Sequence, residues 1–270
     1  MYPLHYTDQM GRAVLLYRKP VRIISLVPSQ TELLYDLGLG ECVVGITKFC
    51  IHPKEWFQSK MRIGGTKKLD LQKIKALQPD LIIGNKEENE ENQVKELMRL
   101  YPVWMSDIKN LDDALHMIAS IGEITDKKEN ALELSNKIRQ GFKQFSAKPL
   151  NQIRTAYMIW YNPIMCAGND TFINEMLALC GFQNALKSKR YPALSTEELK
   201  RLNPELILLS SEPFPFKEKH IAEFQRACPD ALIKLVDGEL FSWYGSRLLH
   251  SPEYFLNLRN SIEQQLQGNV

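Results

Sequence analysis

Hydrophobic positions along the chain switch between two rhythms. Leu71, Ile74 and Leu77 recur at helical spacing; beyond Pro79 they give way to the unbroken apolar run Leu81-Ile82-Ile83. The first rhythm predicts an amphipathic helix, the proline its end, and the run a buried strand. The same arrangement returns 125 positions later: Leu69–Glu87 (LDLQKIKALQPDLIIGNKE) and Leu194–Glu212 (LSTEELKRLNPELILLSSE) agree without gaps at seven of nineteen positions, Pro79/Pro204 among them. A weaker echo pairs Thr31-Glu32-Leu33-Leu34 through Gly38 with Asn174-Glu175-Met176-Leu177 through Gly181. One folding unit used twice predicts an α/β fold of two lobes of similar plan, with strands that read as parallel.

The remaining pattern fills in that plan. Residues 1–20 read as a hairpin or extended arm, and residues 21–125 as the first lobe. In it, strand 22–27 feeds a hydroxyl-capped helix ending at Gly38, strand 42–46 follows, and a short helix surrounds Trp56. After the Gly64-Gly65 turn and the repeat come helix 88–100, strand 102–106 and helix 111–123. In residues 126–147, Ala131, Leu132, Leu134, Ile138, Phe142 and Phe145 share one stripe. That segment predicts a single helix of about 33 Å, a strut joining the first lobe to the second at residues 148–270.

Composition narrows the function. With 34 basic and 32 acidic residues interspersed and a net charge of +2, no polybasic tract argues for nucleic acid or an anionic membrane. The apolar run Ala13–Tyr17 is too short for a membrane span or a signal sequence. A chain starting at Met1 is therefore expected in the cytoplasm, unless a leader has been removed. Five widely spaced cysteines without a CxxC pair argue against a zinc or redox site, and Cys42 and Cys180 read as small core residues.

Ligands of parallel α/β lobes bind beyond the carboxyl ends of the strands. The loops there carry Ser29, Gln30, His52, Thr66, Lys67 and Asn85 in the first lobe. The second offers Tyr161, Asn162 and Tyr191, then Trp243, Tyr244 and Arg247 after the last strand. Aromatic rings supply stacking surface and arginine a planar fork of donors. No nucleophile, general-base pair or metal-ligand spacing emerges, so no catalytic residue and no metal site is assigned. Glu87, Glu88, Glu90 and Glu91 read as a solvated helix start.

Taken together, RIISLVPSQTELLYDLGLGECVVGIT, the His52-Pro53 pair, IGGTKKLDLQKIKALQPDLIIG, the central helix and FSWYGSR resemble the helical-backbone substrate-binding proteins of ABC importers. The resemblance spans residues 22 to about 265. It implies two Rossmann-like lobes joined by one long helix and a cleft between them. The cleft would take cobalamin, a ferric siderophore or haem as cargo, with no cofactor of the protein's own and no catalysis. It also implies a periplasmic location and an ABC permease as partner; a monomer is expected. In that family His52 occupies the place of a cleft tyrosine, while Thr66 and Asn85 stand where cobalamin binders carry tryptophan, giving a more polar pocket. Glu197 matches a permease-docking glutamate, and its counterpart is Gln72. Two alternatives stand beside this reading. One is a cytosolic sensor or carrier of the same fold without a permease; the other is a small-molecule enzyme using the His52, Lys67, Lys68 and Asp107 region.

Overall fold

The N-terminal residues pair as an antiparallel hairpin, β1 (Leu4–Thr7) and β2 (Ala13–Leu16), with Leu4 opposite Leu16. The computed structural model describes residues 2–145 and 153–268. After the hairpin the chain alternates strand and helix: β3 (Ile23–Ser25), α1 (Pro28–Asp36), β4 (Val43–Ile46), α2 (Lys54–Ser59), β5 (Met61–Arg62), α3 (Leu71–Leu77), β6 (Leu81–Asn85), α4 (Glu91–Met98), β7 (Val103–Ser106) and α5 (Leu111–Ile124). Strands β3 to β7 form one parallel sheet in the order β5-β4-β3-β6-β7. Ile23, Ile24, Leu81 and Ile82 are fully buried, as central strands covered on both faces must be. The order reverses between β3 and β6, which makes the loops leaving those two strands the topological switch point.

Helix α6 (Lys128–Phe145) follows. Ala131, Ile138, Phe142 and Phe145 are buried along its stripe, whereas Leu132 is 45% exposed and lies off it. Residues 146 and 147 of the expected strut lie outside the described residues. The chain resumes with β8 (Ile153–Trp160), β9 (Ile164–Cys166), α7 (Phe172–Cys180), β10 (Phe182–Asn184), β11 (Ala193–Leu194), α8 (Thr196–Leu202), β12 (Leu206–Ser210), α9 (Glu218–Ala227), β13 (Leu232–Val236), α10 (Glu239–Ser242) and α11 (Ser251–Gly268). This second sheet is mixed rather than wholly parallel. Strands β10, β8, β12 and β13 run parallel, but β9 is antiparallel to β8, and β11 to β9. Only residues 161–163 separate β8 from β9, too few for a crossover, so β9 must turn straight back.

Contacts divide the chain into two compact units. One holds Met1–Ile108, Asp112–Lys137 and Tyr244–Arg247; the other holds Lys109–Leu111, Ile138–Trp243 and Leu248–Val270. The hairpin thus belongs to the first unit, and α6 is shared. In the second unit the buried Phe241 ring meets Tyr157 at 5.1 Å and Phe255 at 4.6 Å, and Phe255 meets Phe142 and Phe145 at 6.4 and 6.3 Å.

The two copies of the repeat are built alike down to single residues. Asp70 and Ser195 cap α3 and α8 by accepting the N–H of Lys73 and Glu198. Both helices then stop at a residue with φ 45° and ψ 58°, Gln78 and Asn203, directly before Pro79 and Pro204. A left-handed residue turns the chain at once, and the proline forbids further helix. Asparagine tolerates that conformation better than glutamine does. Gln78→Gly is therefore expected to stabilise the protein by up to about 1 kcal/mol and Asn203→Gly by less, read as shifts of the urea midpoint.

Candidate functional site

One asparagine organises the carboxyl edge of the first sheet. Asn89 is buried; its Nδ2 donates to the carbonyls of Thr66 at 3.1 Å and Leu26 at 3.4 Å, and its Oδ1 accepts the Asn85 N–H at 2.8 Å. Loops leaving β3, β5 and β6 are thereby joined. Asn85, itself buried, donates to Ser106 Oγ at 3.0 Å and accepts the N–H groups of Glu87 and Glu88. Gln30 is wholly buried and donates to Ser106 Oγ at 2.7 Å and Gly84 O at 3.2 Å. Gln30 and Asn85, expected to meet ligand, are buried and bond to neighbouring loops through their amide groups, with Gln30 Oε1 left without a partner among the described residues.

The segment Tyr244–Arg247 packs against this edge at the switch point. Tyr244 is buried and its hydroxyl donates to Glu88 at 2.7 Å. Arg247 forms a two-pronged ion pair with Glu32, at 2.9 and 2.5 Å. Between them Gly245 lies so close to the buried Ser29 that a Cβ there would stand 2.5 Å from the Ser29 carbonyl oxygen. Tyr244 and Arg247, expected as ligand contacts, thus fasten a chain segment. Glu88 is half-buried rather than a solvated helix start, and sequence pattern assigned neither it nor Glu32 a partner in the Tyr244–Arg247 segment. Burial and the neighbouring Glu88 push the Tyr244 hydroxyl well above its ordinary pKa.

What the first edge exposes is different. His52 and Thr66 are half-buried, Lys67 is exposed, and beside them Phe49 and Ile51 are 50% and 46% exposed. Sequence reasoning passed over Phe49, although it lies three residues beyond β4, on the side of the sheet where ligands bind. The Lys48 ammonium sits 5.0 Å above the Phe49 ring, and Lys67 donates to the Glu87 carbonyl.

At the carboxyl end of β8 in the second unit, Trp160 is 40% exposed and meets Phe214 edge-on at 5.7 Å. Behind it Tyr161, Phe214, Phe216 and His220 pack as one cluster, with ring centroids 4.8 to 6.4 Å apart. His220 is buried and its Nδ1 accepts the Lys217 N–H at 2.8 Å. Tyr161 donates its hydroxyl to Glu223, Asn162 is exposed, and half-buried Tyr191 lies under the Arg190 guanidinium at 5.9 Å. Trp243, by contrast, is buried and its indole N–H donates to Glu212 Oε1 at 2.9 Å, which also accepts from Ser242 at 2.5 Å. Burial raises the Glu212 carboxyl above its usual value, and Glu239 and Asp237 add to the rise.

Gln72 and Glu197 are both exposed in the first turns of α3 and α8. Among the described residues no group of three or more His, Cys, Asp or Glu could hold a metal ion, and no helix is long and apolar enough to cross a membrane. The described cysteines are unpaired, with Cys42 only half-buried.

Comparison with known proteins places this geometry in a family. The periplasmic binding protein family model matches residues 23–234. The chain belongs to that family. This binding protein is 28% identical over 219 residues to the uncharacterised ABC transporter substrate-binding lipoprotein YvrC of Bacillus subtilis, which covers 77% of the chain and 69% of the relative. It is 26% identical over 244 residues to the vitamin B12-binding protein of Pectobacterium carotovorum, 86% of each. A periplasmic heme binding protein from Pseudomonas aeruginosa superposes with a TM-score of 0.77 at 20% identity over 90% of this chain and 92% of that one, a likeness of fold.

Two expectations follow for the binding protein. Asn89→Ala orphans the buried Leu26 carbonyl and Asn85 N–H and the partly buried Thr66 carbonyl, and should cost roughly 2–4 kcal/mol in urea unfolding. For Glu212 the folded pKa lies above the unfolded one, so its contribution to stability is present below the unfolded value and lost as pH rises through the folded value. Glu212→Gln keeps both hydrogen bonds and removes the buried charge. It should raise stability at pH about 8 and flatten the wild-type slope across that window, measured by urea unfolding at several pH values.

Proposed function

We propose that this protein is the solute-binding component of an ABC-type importer, taking a bulky metal-containing ligand as cargo: a corrinoid, a ferric siderophore or haem. The family match across residues 23–234 carries the reading, and the vitamin B12 and heme named for its relatives give the ligand class. Physical support comes from the carboxyl edges. An exposed Trp160 costs free energy in water that a flat unsaturated ligand recovers by stacking, and Phe49 supplies the same kind of surface on the other unit.

The contacts we assign are His52, Thr66 and Lys67 with Phe49 on the first unit, and Tyr161, Asn162 and Tyr191 with Trp160 on the second. Ser29, Gln30, Asn85, Trp243, Tyr244 and Arg247 support the loops that carry them. The protein binds and releases without transforming, acts outside the cytoplasm as a monomer, and presents Glu197 and Gln72 to a permease. Only Glu197 of that pair brings charge to the docking surface. Thermal melts with cyanocobalamin, haemin and ferric siderophores test the proposal. At a ligand concentration of about 100 Kd, one of them should stabilise the protein by about 2.7 kcal/mol, a shift of several degrees, and Trp160→Ala should reduce it. Indifference to the whole panel would remove the proposal.

A further inference from the structure

Three exposed lysines, Lys48, Lys67 and Lys68, flank the turn at Gly64-Gly65 on the first unit, tied to it by their backbone. The Lys48 N–H donates to the Gly64 carbonyl at 2.8 Å, the Gly65 N–H to the Lys68 carbonyl at 2.8 Å, and the Lys68 N–H back to Gly65 at 3.2 Å. Lys67 lies between, and all three lysine side chains are exposed. Gly65 is what lets the group close up: a Cβ there would stand 3.1 Å from Phe49 Cε2 and 3.3 Å from Lys48 Cε.

Several other exposed lysines of this unit are neutralised, whereas Lys54 and Lys128 are exposed without an ion pair among the described residues. Lys19 pairs with Asp126 at 2.6 Å, Lys73 with Asp70 at 3.4 Å, Lys86 with Asp107 at 2.6 Å and Lys95 with Glu91 at 2.7 Å. Lys48, Lys67 and Lys68 have no carboxylate partner among the described residues. Lys48 lies over a ring and Lys67 bonds a backbone carbonyl. Like charges on one turn repel, and half of the Phe49 ring faces water. An unsaturated ligand ringed by anionic oxygens relieves both costs, stacking on Phe49 while its oxygens meet the ammonium groups.

We propose that the Lys48, Lys67 and Lys68 cluster reads negative charge on the cargo, so that this protein carries an anionic chelate, a porphyrin carboxylate or an iron(III) catecholate, in preference to an uncharged corrinoid. The inference rests on the binding role proposed above. Titration calorimetry of the full chain with haemin, an iron(III) tris-catecholate and cyanocobalamin tests it, comparing wild type with Lys48→Gln/Lys67→Gln/Lys68→Gln. The three changes are on exposed side chains, and a circular dichroism melt checks that the fold is retained.

One anionic probe should bind at least about tenfold more tightly than cyanocobalamin and weaken by at least about tenfold in the triple variant. It should also weaken as sodium chloride rises from about 0.05 to about 0.5 M. Which anionic probe binds distinguishes carboxylate from catecholate cargo. Preferential binding of cyanocobalamin, or anion binding indifferent to the triple variant, overturns the inference and leaves the binding role standing. Failure of all three probes overturns the inference, and indifference to the other ferric siderophores as well removes the binding role.

Discussion

A single buried amide carries the first unit's carboxyl edge. Parallel strands end in carbonyl and N–H groups with no strand beyond to pair them, and Asn89 answers for three loops at once through Leu26, Thr66 and Asn85. Once those loops are joined, Asn85 and Gln30 are committed to Ser106 and to neighbouring backbone. The loops of the edge are held together from within, although Gln30 Oε1 and Ser246 Oγ stay buried without a hydrogen-bond partner among the described residues. The side chains this edge leaves exposed or half-buried include Phe49, Ile51, His52, Thr66 and the lysines.

The same duplicated helix and strand serve two different edges. Asn85 occupies the repeat position of Ser210, and Glu87 that of Glu212. Glu87 is half-buried and lends its backbone carbonyl to Lys67, whereas Glu212 is desolvated beneath Trp243 and Ser242. Identical residues at matching positions thus sit in different surroundings because their neighbours come from elsewhere in the chain. Burial raises the carboxyl at one edge, and exposed lysines stand at the other.

Much of the architecture was legible without coordinates. The 3.6-residue rhythm of α3 and α8, the prolines after them and the continuous apolar strands identified the repeat, and its order and spacing marked the family. The mixed second sheet was not legible, because direction at β9 depends on the length of a turn rather than on apolar pattern. Among site residues, the rule that ligands gather beyond strand ends pointed to the loops from which the proposed contacts are drawn. It could have found Phe49 and Trp160, which stand at those ends, but aromatic content drew attention to Trp243 and Tyr244. Those rings face inward to Glu212 and Glu88.

Local pattern, then, determined elements, duplication and family, because helix period, strand burial and chain reversal are written in residues a few positions apart. Tertiary structure alone decided which polar and aromatic side chains remain available. Arg247 meets Glu32 across 215 positions and Tyr244 meets Glu88 across 156, and no periodicity reports a partner at that distance. Whether a side chain binds a ligand or holds a loop depends on which opposite charge or carbonyl the fold brings within hydrogen-bonding reach.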